Sequence, residues 1–160
     1  MSVERNGYNI DQHRILHAEG KFQGFSIRPH VEQIAELIEK YEARSMLDYG
    51  SGKGLFHREH KWGIPVRCYD PAVEWLALKP TGRYDAVICT DVMEHIPESG
   101  IDAVLAEIDD YARKFSFLSI CTREARKKLP NGENCHLTIR PESWWLDKLD
   151  FMENAHVQFT

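Results

Sequence analysis

The 160-residue sequence has no long hydrophobic run and little cysteine. No apolar stretch approaches the roughly 18 residues of a membrane-spanning helix, so the sequence predicts no membrane association. The first residues lack the apolar core of a secretory signal, and the four cysteines form no Cys-x-x-Cys pair. Such cysteines are expected to be reduced thiols, and the predicted location is cytoplasmic.

An excess of positive charge is also absent. The formal net charge is −5, which argues against broad nucleic-acid binding because a phosphate backbone attracts basic surfaces. The apolar fraction of 42% and the charged fraction of 28% are ordinary for a globular protein. The length predicts a single domain over residues 1–160.

One stretch, residues 45–54, combines a short apolar run with glycines at alternate positions. It reads Ser-Met-Leu-Asp-Tyr-Gly-Ser-Gly-Lys-Gly and predicts a buried strand that ends in a tight turn before a helix. Glycines permit such a turn and leave no Cβ in the way of a ligand. A phosphate-binding P-loop is excluded because Leu47 stands five positions before Gly52, where that motif needs glycine. The dinucleotide fingerprint is excluded because Leu55 stands where its third glycine is required.

An aspartate closes the next predicted strand, residues 66–70. Asp70 stands 20 positions after Gly50, where a strand-end carboxylate can accept both hydroxyls of an adenosine ribose. Several nucleoside cofactors carry that ribose, so Asp70 favours a nucleoside ligand without choosing among them. The alternative is that Asp70 only begins a turn before Pro71.

A second informative segment runs from residue 84 to residue 96. Its apolar run predicts a buried parallel strand, which ends in Thr-Asp-Val-Met-Glu-His at residues 90–95. This ending and the Asp-x-Gly-x-Gly-x-Gly run at residues 48–54 resemble two motifs of the class I S-adenosylmethionine (SAM) methyltransferases. The resemblance covers about residues 31–159 and implies an α/β protein with the three-layer, Rossmann-like fold of that family.

The resemblance also implies a cofactor and the residues that hold it. SAM would be bound and S-adenosylhomocysteine (SAH) released, with Asp70 at the ribose. In the family, the acid of the first motif helps to orient the methionine ammonium, and the residues after strand 4 lie near the transferable methyl group. The predicted cofactor-binding residues are Asp48, Tyr49, Gly50, Ser51, Gly52, Asp70, Pro71, Asp91, Val92 and Met93.

Two departures from the family concern the sheet. Only 13 residues separate Asp70 from Tyr84, too few for a helix, a third strand and another helix. Strand 3 is therefore predicted to be missing, which leaves strand 2 at an edge and Trp75 and Leu76 beside the adenine. No seventh strand follows the predicted sixth strand near residues 155–159. A second copy of the chain could cover the exposed edge, so a homodimer is one predicted arrangement.

The polar loop at residues 122–136 is the most basic stretch of the chain, with cations at Arg123, Arg126, Lys127 and Lys128. It suits a small-molecule acceptor that carries negative charge, and the alternative is a solvated charged loop. Its run Leu-Pro-x-Gly-x-Asn-x-His resembles small uncharacterised methyltransferase-like proteins of bacteria and phages. The predicted substrate-binding residues are Arg123, Asn134 and His136. The predicted catalytic residues are His136 as general base, Asp91 beside the methyl group, and His95.

Residues 31–160 are predicted to form the core. Residues 1–30 are predicted to form a lid, because in similar methyltransferases the region before the first strand often folds over the cofactor. Tyr8, Phe25 and Arg28 are the candidates for the cover.

Two histidine pairs have helix-neighbour spacing, His13 with His17 and His57 with His60. Because no third ligand stands near the first pair in sequence, no metal site is predicted. Both pairs are interpreted as exposed residues.

These observations predict a SAM-dependent methyltransferase that acts on a small-molecule or nucleotide-derived acceptor. The chain lacks both the Asn/Asp-Pro-Pro-aromatic run typical of amino-methyltransferases for nucleic-acid bases and a Pro-Cys nucleophile. These absences disfavour a base-modifying DNA enzyme and leave other nucleic-acid acceptors open. The alternative is a protein of the same fold that binds SAM or a partner without turnover. A nicotinamide enzyme is disfavoured by Leu55.

Overall fold

The core of the protein is a five-stranded parallel sheet, seen in a computed structural model that describes residues 10–160. The strands are β1 (Met46–Tyr49), β2 (Val66–Tyr69), β3 (Tyr84–Thr90), β4 (Ala112–Ile120) and β5 (Ala155–Phe159). They lie in the order β2-β1-β3-β4-β5, and every neighbouring pair is parallel. The order reverses direction between β1 and β3, which creates the crevice where doubly wound sheets bind ligands.

In the part of the chain that the structure describes, five α-helices accompany the strands. They are α1 (Ile10–Ala18), α2 (Val31–Lys40), α3 (Phe56–Glu59), α4 (Glu98–Tyr111) and α5 (Glu142–Leu149). Short 3₁₀ turns occupy Arg28–His30, Glu74–Leu76 and Met93–His95. Within residues 10–160, no helix has the length and apolar character needed to cross a membrane.

Helices cover both faces of the sheet. Successive side chains of a strand point to opposite faces, so a buried strand presents apolar residues to the helices on each side. On one face, Val87 of β3 belongs to a core cluster that includes Ile101 of α4 and Trp145 of α5. On the other face, the next residue, Ile88, packs in a cluster with Ile34 of α2. The structure therefore has the three-layer, Rossmann-like α/β fold predicted from the sequence.

The interval between β2 and β3 contains the turn Glu74–Leu76 and no strand. β2 and β5 form the two edges of the described sheet, which confirms the predicted absence of strands 3 and 7 within residues 10–160. The structure does not support the prediction that Trp75 and Leu76 form a wall beside the adenine. Trp75 is 65% exposed, and neither Trp75 nor Leu76 lines the cavity described below.

Three element boundaries have local causes. α3 is a single turn that ends at Glu59, because the next residue is extended. α4 begins at Glu98, directly after Pro97. β4 begins at Ala112, which already pairs with Tyr84 of β3.

Candidate functional site

A cavity of about 1110 Å³ lies at the carboxyl ends of the strands. The cavity is lined by residues from α1 and from several loops. These loops include residues within 20–26, 49–52, 69–71, 90–96, 121–127 and 135–136. Open α/β sheets place their ligands at this edge. Because typical ligand pockets measure about 300–1,000 Å³, the cavity has room for a nucleoside cofactor together with a small acceptor.

The glycine turn after β1 is held against β2. The amides of Gly50 and Ser51 both donate to the carbonyl oxygen of Tyr69, at 2.8 and 3.1 Å. Gly50 and Gly52 have φ values of 78° and 57°, which glycine adopts without strain. A Cβ at Gly50 would overlap the Val92 side chain, and a Cβ at Gly52 would overlap the carbonyl oxygen of Phe22.

The positive φ values agree with the tight turn predicted from the sequence. Close packing within the protein is a further reason for glycine at these two positions. The turn also faces the cavity, since Tyr49, Gly50, Ser51 and Gly52 all line it.

Asp70 is a buried carboxylate that lines the cavity at the end of β2 and is 4% exposed. The amide of Gly52 donates to its Oδ2 and the amide of Ala72 to its Oδ1, each at 2.9 Å. Nε2 of His17 lies 4.0 Å from Oδ1. Burial raises the pKa of Asp70 to about 7 and lowers the pKa of His17 to about 4. Asp70 thus changes charge near neutral pH while His17 stays neutral there.

Asp48 does not line the cavity, contrary to its predicted contact with the cofactor's ammonium group. Its Oδ2 lies 2.7 Å from Nε2 of His57, and both side chains are buried. The indole N–H of Trp62 donates to Nδ1 of His57 at 3.0 Å, so Nε2 carries the hydrogen that Asp48 accepts. His57 is therefore not the exposed helix residue predicted from sequence, and His60 stacks on Phe56 with ring centroids 5.3 Å apart.

Asp91 follows β3 in a left-handed conformation, with φ 53°. Its amide donates to the carbonyl oxygen of Ser119 at 3.0 Å, and the Ser119 hydroxyl donates to its Oδ1 at 3.1 Å. The carboxylate is exposed and lines the cavity, as do Pro71 and Val92. Met93 is fully buried in the core and does not line the cavity, so its predicted place at the cofactor is not supported.

Glu94 was not predicted as a site residue, yet it lines the cavity while being fully buried. The amide of Cys121 donates to Oε1 at 3.1 Å. Oε2 has no hydrogen-bond partner among residues 10–160. Burial raises the pKa of Glu94 to about 8.

His95 and His136 lie side by side, with ring centroids 4.9 Å apart. Nδ1 of His95 is 2.9 Å from the carbonyl oxygen of Cys135, and Nδ1 of His136 is 2.5 Å from that of Arg123. Because a carbonyl only accepts, both rings carry a hydrogen on Nδ1 and leave Nε2 as an acceptor. Burial lowers the pKa of His95 to about 3. It is therefore a poor general base at neutral pH, and the half-buried His136 is the better candidate.

The loop after β4 brings three cations to the cavity. Arg123, Arg126 and Lys127 line it, are exposed, and form no ion pair with any residue of the described chain. Asn134 does not line the cavity. Its amide group exchanges hydrogen bonds with the main chain of Ala125 and accepts another from the His136 amide, so it shapes the loop and its predicted substrate contact is not supported.

α1 contributes two histidines that the sequence interpretation placed on an exposed face. His13 and His17 are 2% and 7% exposed, and both line the cavity. Of the lid candidates, Phe25 lines the cavity, whereas Arg28 stacks over the Phe25 ring at 4.7 Å and does not line it. Tyr8 lies outside the described residues.

Comparison with solved structures finds a chain of similar fold in a structure titled "DhpI-SAH complex structure". The TM-score is 0.59 at 16% sequence identity, and the alignment covers 93% of this chain and 89% of that chain. At this identity the likeness establishes the fold. Neither protein-family models nor curated protein sequences give a match.

Proposed function

We propose that this protein is a SAM-dependent methyltransferase whose acceptor is a small, anionic or nucleotide-derived molecule. The observation that carries the proposal is Asp70, a buried carboxylate that is bonded to the Gly52 amide of the turn and lines a cavity at the strand ends. A fold shared with a structure titled as an SAH complex supports the choice of cofactor.

The cofactor end of the cavity would be formed by Asp70, Asp91 and residues 49–52. Each oxygen of Asp70 accepts one main-chain N–H, and a carboxylate has about four lone-pair positions. Acceptor capacity therefore remains for two ribose hydroxyls, so the residues present fit an adenosyl group. SAM, when bound, supplies an activated methyl group on its sulfonium.

The acceptor end would lie toward the loop after β4. The cations Arg123, Arg126 and Lys127 would attract and orient a negatively charged acceptor. Methyl transfer depends mainly on in-line alignment and exclusion of water, and α1 with Phe22 and Phe25 would provide that cover. His136 would accept a proton where the acceptor must lose one.

The test is calorimetric titration with SAM, SAH and NAD. We expect SAM and SAH to bind and NAD not to bind. In Asp70→Ala, the loss of two hydrogen bonds to a charged group should weaken SAH binding by about 100-fold. Asp147→Ala, an exposed aspartate on α5, is the matched control and should bind normally.

Absence of binding by both adenosyl ligands would refute the proposal. Release of SAH from SAM in a screen of anionic acceptors then separates an enzyme from a protein of the same fold that binds SAM without turnover.

The affinity for SAH should fall as the pH is lowered through about 7. Burial raises the pKa of Asp70 to about 7, and protonated Asp70 cannot accept hydrogen bonds from both ribose hydroxyls. Below that pH, the affinity for SAH should fall with a slope that approaches about tenfold per pH unit. His17 faces Asp70 but titrates near 4, and Asp48 contributes only a repulsion that raises the pKa of Asp70 further.

The stability contributed by Asp70 in the ligand-free protein should show the opposite trend. This contribution is fully present below the ordinary pKa of 3.8 and is lost as pH rises through about 7.

The predicted pH dependence of SAH affinity is checked by titrations of SAH between about pH 5.5 and 8.5 on the wild type and on Asp70→Asn. A pH dependence that persists in Asp70→Asn would assign the effect to another group.

A further inference from the structure

Three potential metal ligands converge on one wall of the cavity. Glu94 and His95 lie on the 3₁₀ turn after β3, and His136 lies on the loop after β4. One ligand atom from each lies within 4.8 Å of the other two, and all three residues line the cavity.

The two imidazoles are oriented as metal ligands usually are. A metal-binding histidine donates one ring N–H to a carbonyl or carboxylate, which fixes the tautomer and directs the other nitrogen to the ion. Here the carbonyl oxygens of Cys135 and Arg123 accept from Nδ1 of His95 and His136. The Nε2 lone pairs of both rings are thereby left as acceptors.

Glu94 provides the third and independent observation. Its Oε2 is buried and has no hydrogen-bond partner among residues 10–160, although Oε1 is held by the Cys121 amide. A buried polar atom without a partner is costly. A cation beside Oε2 would remove that cost.

We propose that Glu94, His95 and His136 bind a divalent transition-metal ion of the Zn²⁺ class. Two imidazole nitrogens and one carboxylate oxygen form a typical open zinc site, with further positions left for water or a ligand from the cavity. Mg²⁺ prefers a shell of oxygen atoms and is therefore disfavoured.

Zinc ligands at about 2.0–2.2 Å lie roughly 3.3 Å apart, so the three side chains must close slightly around the ion. His136 can supply this movement because it is half-buried on a loop.

This proposal reverses the sequence expectation of no metal site. Nε2 of His136 cannot bind a metal ion and accept a proton at the same time. In the metal-bound protein His136 is therefore a metal ligand and not the general base proposed above. The proposal does not rest on methyl transfer, since the ligands and their orientation are independent of any acceptor.

The test uses the untagged full chain, stripped with a chelator and titrated with Zn²⁺ by calorimetry and with Co²⁺ by visible absorption. We expect one tight site per chain, little competition by Mg²⁺, and a higher melting temperature with Zn²⁺. His136→Ala and Glu94→Gln should each weaken Zn²⁺ binding by at least about tenfold. His60→Ala, a histidine outside the cluster, should leave the affinity unchanged.

The proposal is overturned if no stoichiometric site is found, if both variants bind as the wild type does, or if Mg²⁺ binds more tightly than Zn²⁺. His136→Ala removes a single hydrogen bond from a half-buried loop and is expected to fold, which circular dichroism would verify. Zn²⁺ is titrated without SAM or an acceptor. Failure of the metal site is therefore distinguishable from failure of the proposed methyltransferase function.

Discussion

Replacement of His57 by alanine is expected to lower the free energy of unfolding by about 3–5 kcal/mol. His57 donates to Asp48 at 2.7 Å, and both side chains are almost completely buried. Within the described residues, Oδ1 of Asp48 has no hydrogen-bond partner. Without His57, the carboxylate on β1 would therefore be buried with neither oxygen paired.

Urea unfolding at neutral pH measures this effect, and a double-mutant cycle with Asp48→Asn isolates its cause. Asp48→Asn combined with His57→Ala should be less destabilising than His57→Ala alone, because no unpaired charge is left in the core. His60→Ala, on the adjacent turn of chain, should cost less because His60 has no buried ionic partner among the described residues. Additive losses in the cycle would show that the pair is not coupled.

The fold was predictable because its signals are local. Apolar runs marked β1 and β3, and the 13 residues between Asp70 and Tyr84 cannot contain another strand and two helices. The positions of Gly50, Asp70 and Asp91 followed from topology, since the carboxyl ends of parallel strands meet at one edge of the sheet. All three line the cavity.

The direction of individual side chains was not predictable, because it depends on packing between distant segments. Met93 and Asp48 stand next to cavity residues in sequence but point into the core. His13 looks like an exposed helix residue until α1 is placed against His95, with ring centroids 5.5 Å apart. Glu94 and His136 are separated by 42 positions in the chain, so no local spacing indicates that they meet.

Docking of the N-terminal segment on the glycine turn has a direct consequence for ligand binding. The amides of Lys53 and Leu55 donate to the carbonyl oxygens of Phe22 and Gln23, each at 3.2 Å. Phe22 and Gln23 line the cavity. Any change that pushes this segment off the turn should therefore open the site as well as destabilise the fold.

Gly52→Ala is expected to have that effect. The new Cβ would overlap the carbonyl oxygen of Phe22 and lie 3.1 Å from the amide nitrogen of Gly24, and main-chain atoms cannot rotate away. The left-handed φ of 57° adds about 1–2 kcal/mol of strain, and the overlap adds about 1–3 kcal/mol. We expect a loss of about 2–5 kcal/mol in unfolding free energy and SAH binding weakened by at least about tenfold.

Gly82→Ala is the matched control, because Gly82 has a similar φ of 77° but no atom within 4 Å of a new Cβ. It should show the strain alone, about 1–2 kcal/mol, and bind SAH normally. The difference between the two variants, measured by urea unfolding and calorimetry, isolates the contact with residues 22–24. The two variants could instead lose equal stability and bind SAH with equal affinity. That result would mean that residues 22–24 move away from the new Cβ at no cost in unfolding free energy. The turn, rather than the segment that covers it, would then determine ligand binding.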